Sequence, residues 1–351
     1  MTTIFYMINT AIVIANWNGK KYLKDCFDSL LAQTCQNFKI IFVDNGSSDG
    51  SADFVREKYR ETKIIRLEKN TGFAKGYNIG MKKALEDKNI ENIIVLNNDT
   101  KLDEKYLEEM LSSAKRHPKA GSIQPKIINF FEKNKIDCAG ILLSFDGVAT
   151  NRGYGERDRG QFEKEEEIFG ANAAAALFTR EALEKTQLKS GEYFDNSYFA
   201  FYEDADLAWR MRLAGFKPFY CPKAVVRHVH SATANKISGL KAYYLNRNRF
   251  FTLIKNYPLC RLALILLILT PIRYIFLLFQ VIMKKGRKGA ELSGQSKAMA
   301  AKEILRAWGS VVANIPGLIK KRNSIQRGKK VDCREIQRWF REYGVKFLKT
   351  F

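Results

Sequence analysis

Four clusters of short polar residues recur in the N-terminal third of the chain: Asn16-Trp17-Asn18-Gly19, Asp44-Asn45-Gly46-Ser47-Ser48-Asp49-Gly50, Asn70-Thr71-Gly72-Phe73 and Asn97-Asn98-Asp99. Each follows an apolar run that reads as a strand. In an open α/β sheet ligands sit beyond the carboxyl ends of the strands, so all four clusters are expected to face one crevice. A carboxylate there can accept from a base N–H or a hydroxyl. Taken singly, each cluster also reads as an ordinary Asx turn or helix cap.

A second set lies in the other half, in Phe201-Tyr202-Glu203-Asp204-Ala205-Asp206-Leu207-Ala208-Trp209-Arg210. Carboxylates at the start of a helix suit the N-terminal dipole, and one of them could take a proton as a general base. The plain alternative is that they cap the helix while Asp206 pairs with Arg210 one turn on. The chain has three histidines. His117 reads as a helix-end residue, whereas His228 and His230 end a strand, where alternation points both to one face.

The elements that must position these residues alternate between strands and helices, the pattern of βαβ units. Strands are expected at Ala11–Asn16, Lys39–Val43, Lys63–Leu67 and Ile93–Leu96, nearly all apolar as strands covered on both faces should be. Helices fill the gaps at Lys21–Gln33, Ser51–Glu61, Ala74–Asp87 and Glu104–His117, with Leu23, Phe27, Leu30 and Leu31 as one apolar face. Beyond Gly121 the pattern loosens into a hairpin near Ile136–Ala149 and a mobile charged loop, Arg152–Glu167. Regularity returns with Ala171–Thr179, a short helix after Arg180, a helix near Asp204–Ala214 and a strand near Ala224–His228.

Charge divides the chain. From Lys236 to Phe351 there are 25 Lys and Arg against 5 Asp and Glu, leaving 34 against 32 for the first 235 residues, so the net +22 sits almost wholly in the last third. Within that third, Leu262–Met283 is strongly apolar but interrupted by Pro271 and Arg273, and Lys284, Lys285, Arg287 and Lys288 follow. This reads as a helix broken at its middle, an interfacial or re-entrant hairpin rather than a span. Helical stretches at Ala298–Val312 and Arg334–Tyr343 follow, separated by Ile315-Pro316-Gly317 and the basic Lys320-Lys321-Arg322. The six cysteines show no CxxC pair and no secreted framework. The start of the chain lacks a basic n-region, so a cleaved signal peptide is not expected.

In this order and spacing the motifs resemble those of family 2 glycosyltransferases, with the rhamnosyltransferase-like enzymes as the nearest subgroup, over about residues 10–250. The resemblance implies a GT-A fold: a Rossmann-like α/β sheet, mostly parallel, that handles nucleotide-diphospho-sugars. The catalytic domain would be residues 1–235, divided into a nucleotide-binding half (1–120) and an acceptor and catalytic half (121–235). Residues 236–351 would be a helical, membrane-associating appendage. The resemblance puts base and ribose contacts on Asn16, Asn18, Asp44 and Asn45. It puts a Gly-rich donor loop on Gly72, Phe73, Gly76 and Asn78, where backbone approach to the donor calls for small residues. Asn97-Asn98-Asp99 matches the family's metal-binding DxD with its first Asp replaced by Asn, which leaves Asp99 as the charged ligand. His228 would be a further ligand, with His230 as its alternative, for Mn2+ or Mg2+. Asp204 would be the base, assisted by Glu203, in an inverting transfer without a covalent intermediate. Gly170–Ala176 falls where the family lines the sugar and acceptor floor with small residues.

The acceptor this suggests is a glycan or a polyprenyl-linked glycan, reached from the cytoplasmic side by an enzyme bound peripherally to an anionic inner membrane surface. A basic nucleic-acid-binding protein is the first alternative, although no DNA- or RNA-binding motif is present and the neighbouring apolar run favours lipid. An inactive nucleotide-sugar-binding scaffold is the second.

Overall fold

The computed structural model describes residues 8–229, 238–283 and 297–346. The chain divides into two compact units, Met1–Ile141 with Asn151–Ala232, and Leu142–Thr150 with Thr233–Phe351.

The first unit opens with β1 (Thr10–Asn16), α1 (Lys20–Leu31), β2 (Phe38–Asp44), α2 (Ser51–Lys58), β3 (Lys63–Arg66), α3 (Phe73–Leu85) and β4 (Asn92–Asn97). β1 lies between β2 and β4, all parallel, and β3 extends the edge beyond β2. Alternation along β1 serves both faces. Ile12 and Ile14 pack with Leu23, Cys26, Phe27 and Leu30 of α1, whereas Ala11 and Val13 join Ala74, Tyr77 and Met81 of α3. Burying each such aliphatic side chain contributes about 1.5–3 kcal/mol. On α1 the core stripe takes Cys26 in place of the expected Leu31, which is 58% exposed, because a 3.6-residue period carries position 31 off the face that holds 23, 27 and 30.

The rest of this unit comprises β5 (Thr100–Leu102), α4 (Tyr106–Arg116), β6 (Ala120–Asn129), β7 (Ile136–Cys138), β10 (Glu166–Glu167), β11 (Ala175–Thr179), α5 (Arg180–Thr186), α6 (Glu203–Leu213) and β12 (Lys217–His228). The sheet order is β10-β12-β6-β11-β4-β1-β2-β3, with β5 on β12 and β7 on β6. β11 runs antiparallel between β4 and β6, and β12 runs parallel to β6. β12 begins seven residues before the expected strand start. Its register on β6 shifts between Cys221 and Val225, where Pro222 cannot donate to the ladder.

Two expectations change in this region. The single hairpin expected at Ile136–Ala149 is split: β7 joins the main sheet, while β8 (Ile141–Ser144) pairs with β9 (Ala149–Asn151) and with β13 (Gly344–Val345) in a small sheet of its own. The charged loop expected to be mobile is pinned. Buried Lys126 meets Asp158 at 3.1 Å and also Glu163, and the Arg152 guanidinium lies 4.5 Å from the Phe162 ring centre while pairing with Glu166.

The second unit holds α7 (Ser238–Asn256), α8 (Leu259–Leu264), a π turn at Ile265–Leu269, α9 (Thr270–Met283), a long helix Lys297–Arg327 and a last helix Cys333–Glu342. Helical geometry continues through Pro271, so the expected break is absent. The proline lacks the N–H that would bond one turn back, and the π turn before it absorbs the mismatch. Pro316 likewise sits inside its helix. Buried Ala307, Val311 and Leu318 anchor the helix on both sides of it. Arg273 is buried against Asp146, so it is an interior ion-pair partner. No helix among the described residues is long and apolar enough to cross a membrane.

Candidate active site

Three of the polar strand ends are stitched together. Asn16 is buried at the end of β1, and its amide donates to Ser47 Oγ at 3.1 Å while accepting from the Asn98 amide. The backbone N–H of Asn18 reaches the same Ser47 Oγ at 3.0 Å, and the Asn18 side chain accepts from Ser48 N at 2.8 Å. Asp44 accepts from Ser47 N at 3.2 Å. Asn16, Asn18 and Asp44 therefore share one corner, and Ser47, absent from the expected contacts, is the residue that joins them.

Asn45 supports the next loop from below. Its carbonyl oxygen accepts from Thr71 N and Oγ1, each at 2.9 Å, and its amide donates to Gly72 O at 3.0 Å. Asn78 has both ends of its amide engaged, accepting from Tyr193 N and Phe194 N and donating to Phe194 O and Asn196 Oδ1. With their amides committed inside the protein, Asn45 braces the loop at Thr71 and Gly72 from behind, and Asn78 ties α3 to the segment Tyr193 to Asn196. Phe73 packs against Tyr77 with the rings tilted by 45° and their centres 4.4 Å apart. The small size of Gly72 and Gly76 answers crowding within the protein. A Cβ on Gly72, at φ +86°, would stand 2.6 Å from the Phe199 ring and carbonyl, and one on Gly76 would meet the Asn45 amide at 3.0 Å.

At the end of β4, Asn97 bonds through its backbone N–H to Ala174 O at 2.8 Å, and Tyr77 Oη lies 3.1 Å from Asn97 Oδ1. Two residues on, Asp99 is 7% exposed. β12 brings His228 to it, with Nε2 standing 3.3 Å from Asp99 Oδ1 and 3.4 Å from the Asn97 amide nitrogen. The other ring nitrogen, Nδ1, is 2.8 Å from Asp137 Oδ2. Burial alone would push this imidazole down, but the carboxylates of Asp99 and Asp137 outweigh it and raise its pKa to about 10. The ring therefore favours a proton on each nitrogen, and an ion bound at Nε2 would have to displace the proton there. Among the described residues no group of three or more His, Cys, Asp or Glu side chains gathers as a metal cage. The protein offers one oxygen and one nitrogen, a set that fits a divalent ion completed by diphosphate oxygens and water. His230 lies outside the described residues. Asp137 was not anticipated, although a lone Asp between Ile136 and Cys138 in a short apolar strand signals a buried carboxylate in need of a partner.

Glu203 and Asp204 begin α6, behind a backbone with Phe199, Phe201 and Tyr202 all at positive φ, a costly conformation for aromatic residues that concentrates at functional sites. Asp204 Oδ2 accepts from Ala173 N at 3.3 Å. Since Ala174 O accepts from Asn97 N, two adjacent residues tie this carboxylate to the end of β4. Asp206 makes the expected buried pair with Arg210 at 3.0 Å, and Asp204 stands apart from that pair. Burial raises the pKa of both carboxyls, and the neighbouring Asp204 charge raises Glu203 further. Glu203 Oε2 is buried with no hydrogen-bond partner among the described residues.

The model of glycosyl transferase family 2 matches residues 11–187. This chain belongs to that family. Poly-beta-1,6-N-acetyl-D-glucosamine synthase of Staphylococcus epidermidis is 26% identical over 220 residues, which is 61% of this chain and 48% of that protein. The chain therefore spans about half the length of the curated relatives it matches. Two solved structures share the fold at low identity. S. aureus TarS 1-349 in complex with UDP has a TM-score of 0.52 at 14% identity, covering 96% of this chain and 90% of that one. GalNAc-T7 with UDP, GalNAc and Mn2+ has a TM-score of 0.56 at 13%, covering 72% and 48%. The fold of this family 2 chain is GT-A.

Proposed function

We propose that the chain is an inverting, metal-dependent glycosyltransferase, with residues 1–235 as its catalytic domain, that moves a sugar from a nucleoside diphosphate to an acceptor hydroxyl. The observation that carries this reading is the convergence of Asp99 and His228 beside the end of β4, to which Ala173 and Ala174 also tie the carboxylate of Asp204. Asn16, Asn18 and Asp44 would hold base and ribose, and the loop carrying Gly72 and Phe73 would close on the donor. Asn97 and Asn98 shape the diphosphate end. Asp99 and His228 would hold Mn2+ or Mg2+, which would supply neutralising charge at the diphosphate. Asp204 takes the acceptor's proton as that oxygen bonds to the anomeric carbon. The bond from the anomeric carbon to the diphosphate breaks, and its electron pair leaves with the nucleotide. Burial and the neighbouring Asp204 charge raise the pKa of Glu203, which favours its protonated form and leaves Asp204 as the base.

The named relative makes poly-beta-1,6-N-acetyl-D-glucosamine and both structural neighbours hold UDP, so UDP-linked amino sugars come first among donors to test, with dTDP-sugars next. Nucleotide release is measured with Mn2+ for wild type and Asp204→Asn. Turnover by wild type with a 10²–10⁴-fold loss in the variant is expected for removal of a general base, and equal turnover rejects the assignment.

For the acceptor we propose a glycan or polyprenyl-linked glycan at an anionic inner membrane surface. On α8–α9 and the intervening turn, Leu267, Ile275 and Phe279 are 77%, 67% and 55% exposed, in a region with 25 basic and 5 acidic residues. Exposed apolar side chains among basic ones suit the headgroup boundary. Co-sedimentation with phosphatidylglycerol vesicles, weakened by Leu267→Glu with Phe279→Glu, is expected; absence from vesicles at low salt removes this part.

A further inference from the structure

Asp137 lies at an irregularity of the sheet. Ile127 pairs with Cys138 and Ile128 with Ile136, so one step along β6 spans two along β7 and Asp137 is the extra residue. An inserted residue of this kind re-aims a side chain, and such bulges are enriched beside active sites. β6 is flanked on its other edge by β12, where His228 pairs with Asn129. The Asp137 carboxylate, on a residue 4% exposed, thus reaches past β6 to meet His228 Nδ1 at 2.8 Å, while Nε2 of the same ring faces Asp99.

We infer that Asp137 is the positioning residue of the imidazole that would hold the metal: it orients the ring through Nδ1 of His228 and so leaves Nε2, on the side of Asp99, as the nitrogen available to an ion. The inference rests on the proposed metal site. A neutral imidazole has two tautomers, and only the one with its proton on Nδ1 can ligate through Nε2. A carboxylate on the far nitrogen selects that tautomer, fixes the ring plane and makes Nε2 a better donor. Asp137 itself need not touch the ion.

Wild type, Asp137→Asn and Asp137→Glu are titrated with Mn2+ in the presence of UDP, with free Mn2+ read by electron paramagnetic resonance. Long-range 15N–1H spectra with Mg2+ and UDP report the tautomer, a tractable measurement in a chain of three histidines. Expected are a single His228 tautomer protonated on Nδ1 in wild type, a loss of about 10–100-fold in Mn2+ affinity with mixed tautomers in Asp137→Asn, and partial recovery in Asp137→Glu. A merely structural role would lower stability without moving the tautomer. Unchanged Mn2+ affinity in folded Asp137→Asn, or a wild-type ring protonated on Nε2, overturns the inference; if Asp137→Asn does not fold, Asp137→Glu and the wild-type tautomer decide it. Wild type that takes up no Mn2+ even with UDP, like Asp99→Asn, overturns the metal site itself and the inference with it.

Discussion

His228 Nε2 stands 3.3 Å from Asp99 Oδ1, and both side chains are 8% exposed. The turn between β4 and β5 meets the end of β12 there, where His228 pairs with Thr100. If the pair holds a divalent ion, Asp99→Asn and His228→Ala should each lower Mn2+-dependent nucleotide release by about 10²–10³-fold, the scale of removing one preorganised electrostatic group. UDP binding without metal should change little. Steady-state release with and without EDTA checks both statements.

The two carboxyls at the start of α6 make a prediction about pH. Asp204 titrates first and is raised by burial, so the acid limb of kcat/KM for the donor should lie above the ordinary aspartate value of 3.8. Over that limb Glu203 is still neutral, because its own pKa lies well above its usual value. Glu203→Gln should therefore leave the limb in place, and Asp204→Asn should lower activity by about 10²–10⁴-fold across the whole range. A limb that moves by a full pH unit in Glu203→Gln would show that the two roles are reversed.

Stability offers an independent check on Glu203. A carboxyl whose folded pKa exceeds its unfolded one has its full stabilising effect below the unfolded value of 4.5 and loses it as pH rises through the folded pKa. Glu203→Gln removes this penalty. The variant should melt close to wild type at pH 4 and above it at pH 8, with the gap widening as pH rises.

The parallel half of the sheet was legible because strands buried on both faces must be apolar throughout, and their polar ends stand out against that background. Asp99 stood out at one such end, whereas Asp204 and His228 were placed by the resemblance to the family's motifs. Asp137 was not legible, because its partner His228 comes from a strand separated from β7 by β6, a relation that periodicity cannot carry. The resemblance put Asn45 and Asn78 at the donor; that their amides are engaged by Thr71 and Gly72 and by Tyr193, Phe194 and Asn196 is a tertiary relation that residue type alone does not carry. Pro271 and Pro316 looked like breaks. Local propensity favours that, but a π turn and tertiary packing overrode it.

Gly72 tests the donor loop. At φ +86° and ψ 171° its backbone lies in a region open essentially to glycine, where another residue costs about 1–3 kcal/mol, and a Cβ would also collide with Phe199. Gly72→Ala should lower the urea midpoint and raise KM for the nucleotide sugar as Phe199 is displaced. A variant with wild-type stability and KM would show that this loop neither packs under Phe199 nor frames the donor.

The second unit has its own weak point at Asp146. Its carboxylate is fully buried, lies 3.4 Å from Arg249 Nη2 and pairs with Arg273. Burial pushes its pKa up, but the two guanidiniums outweigh this and hold it below its usual value. Asp146→Ala would leave two buried cations without their shared anion, a loss of about 3–5 kcal/mol on the scale for breaking a buried pair. Wild type should also lose stability as pH falls below 3.8 and through the depressed folded pKa. Denaturant unfolding followed through Trp308 and Trp339, both in this unit, would read these effects. Replacing all three groups together, Asp146→Leu with Arg249→Met and Arg273→Met, should restore most of the stability, because an apolar set of similar volume avoids the desolvation that the charges incur. If the single variant melts with wild type, Asp146 does not hold the two arginines.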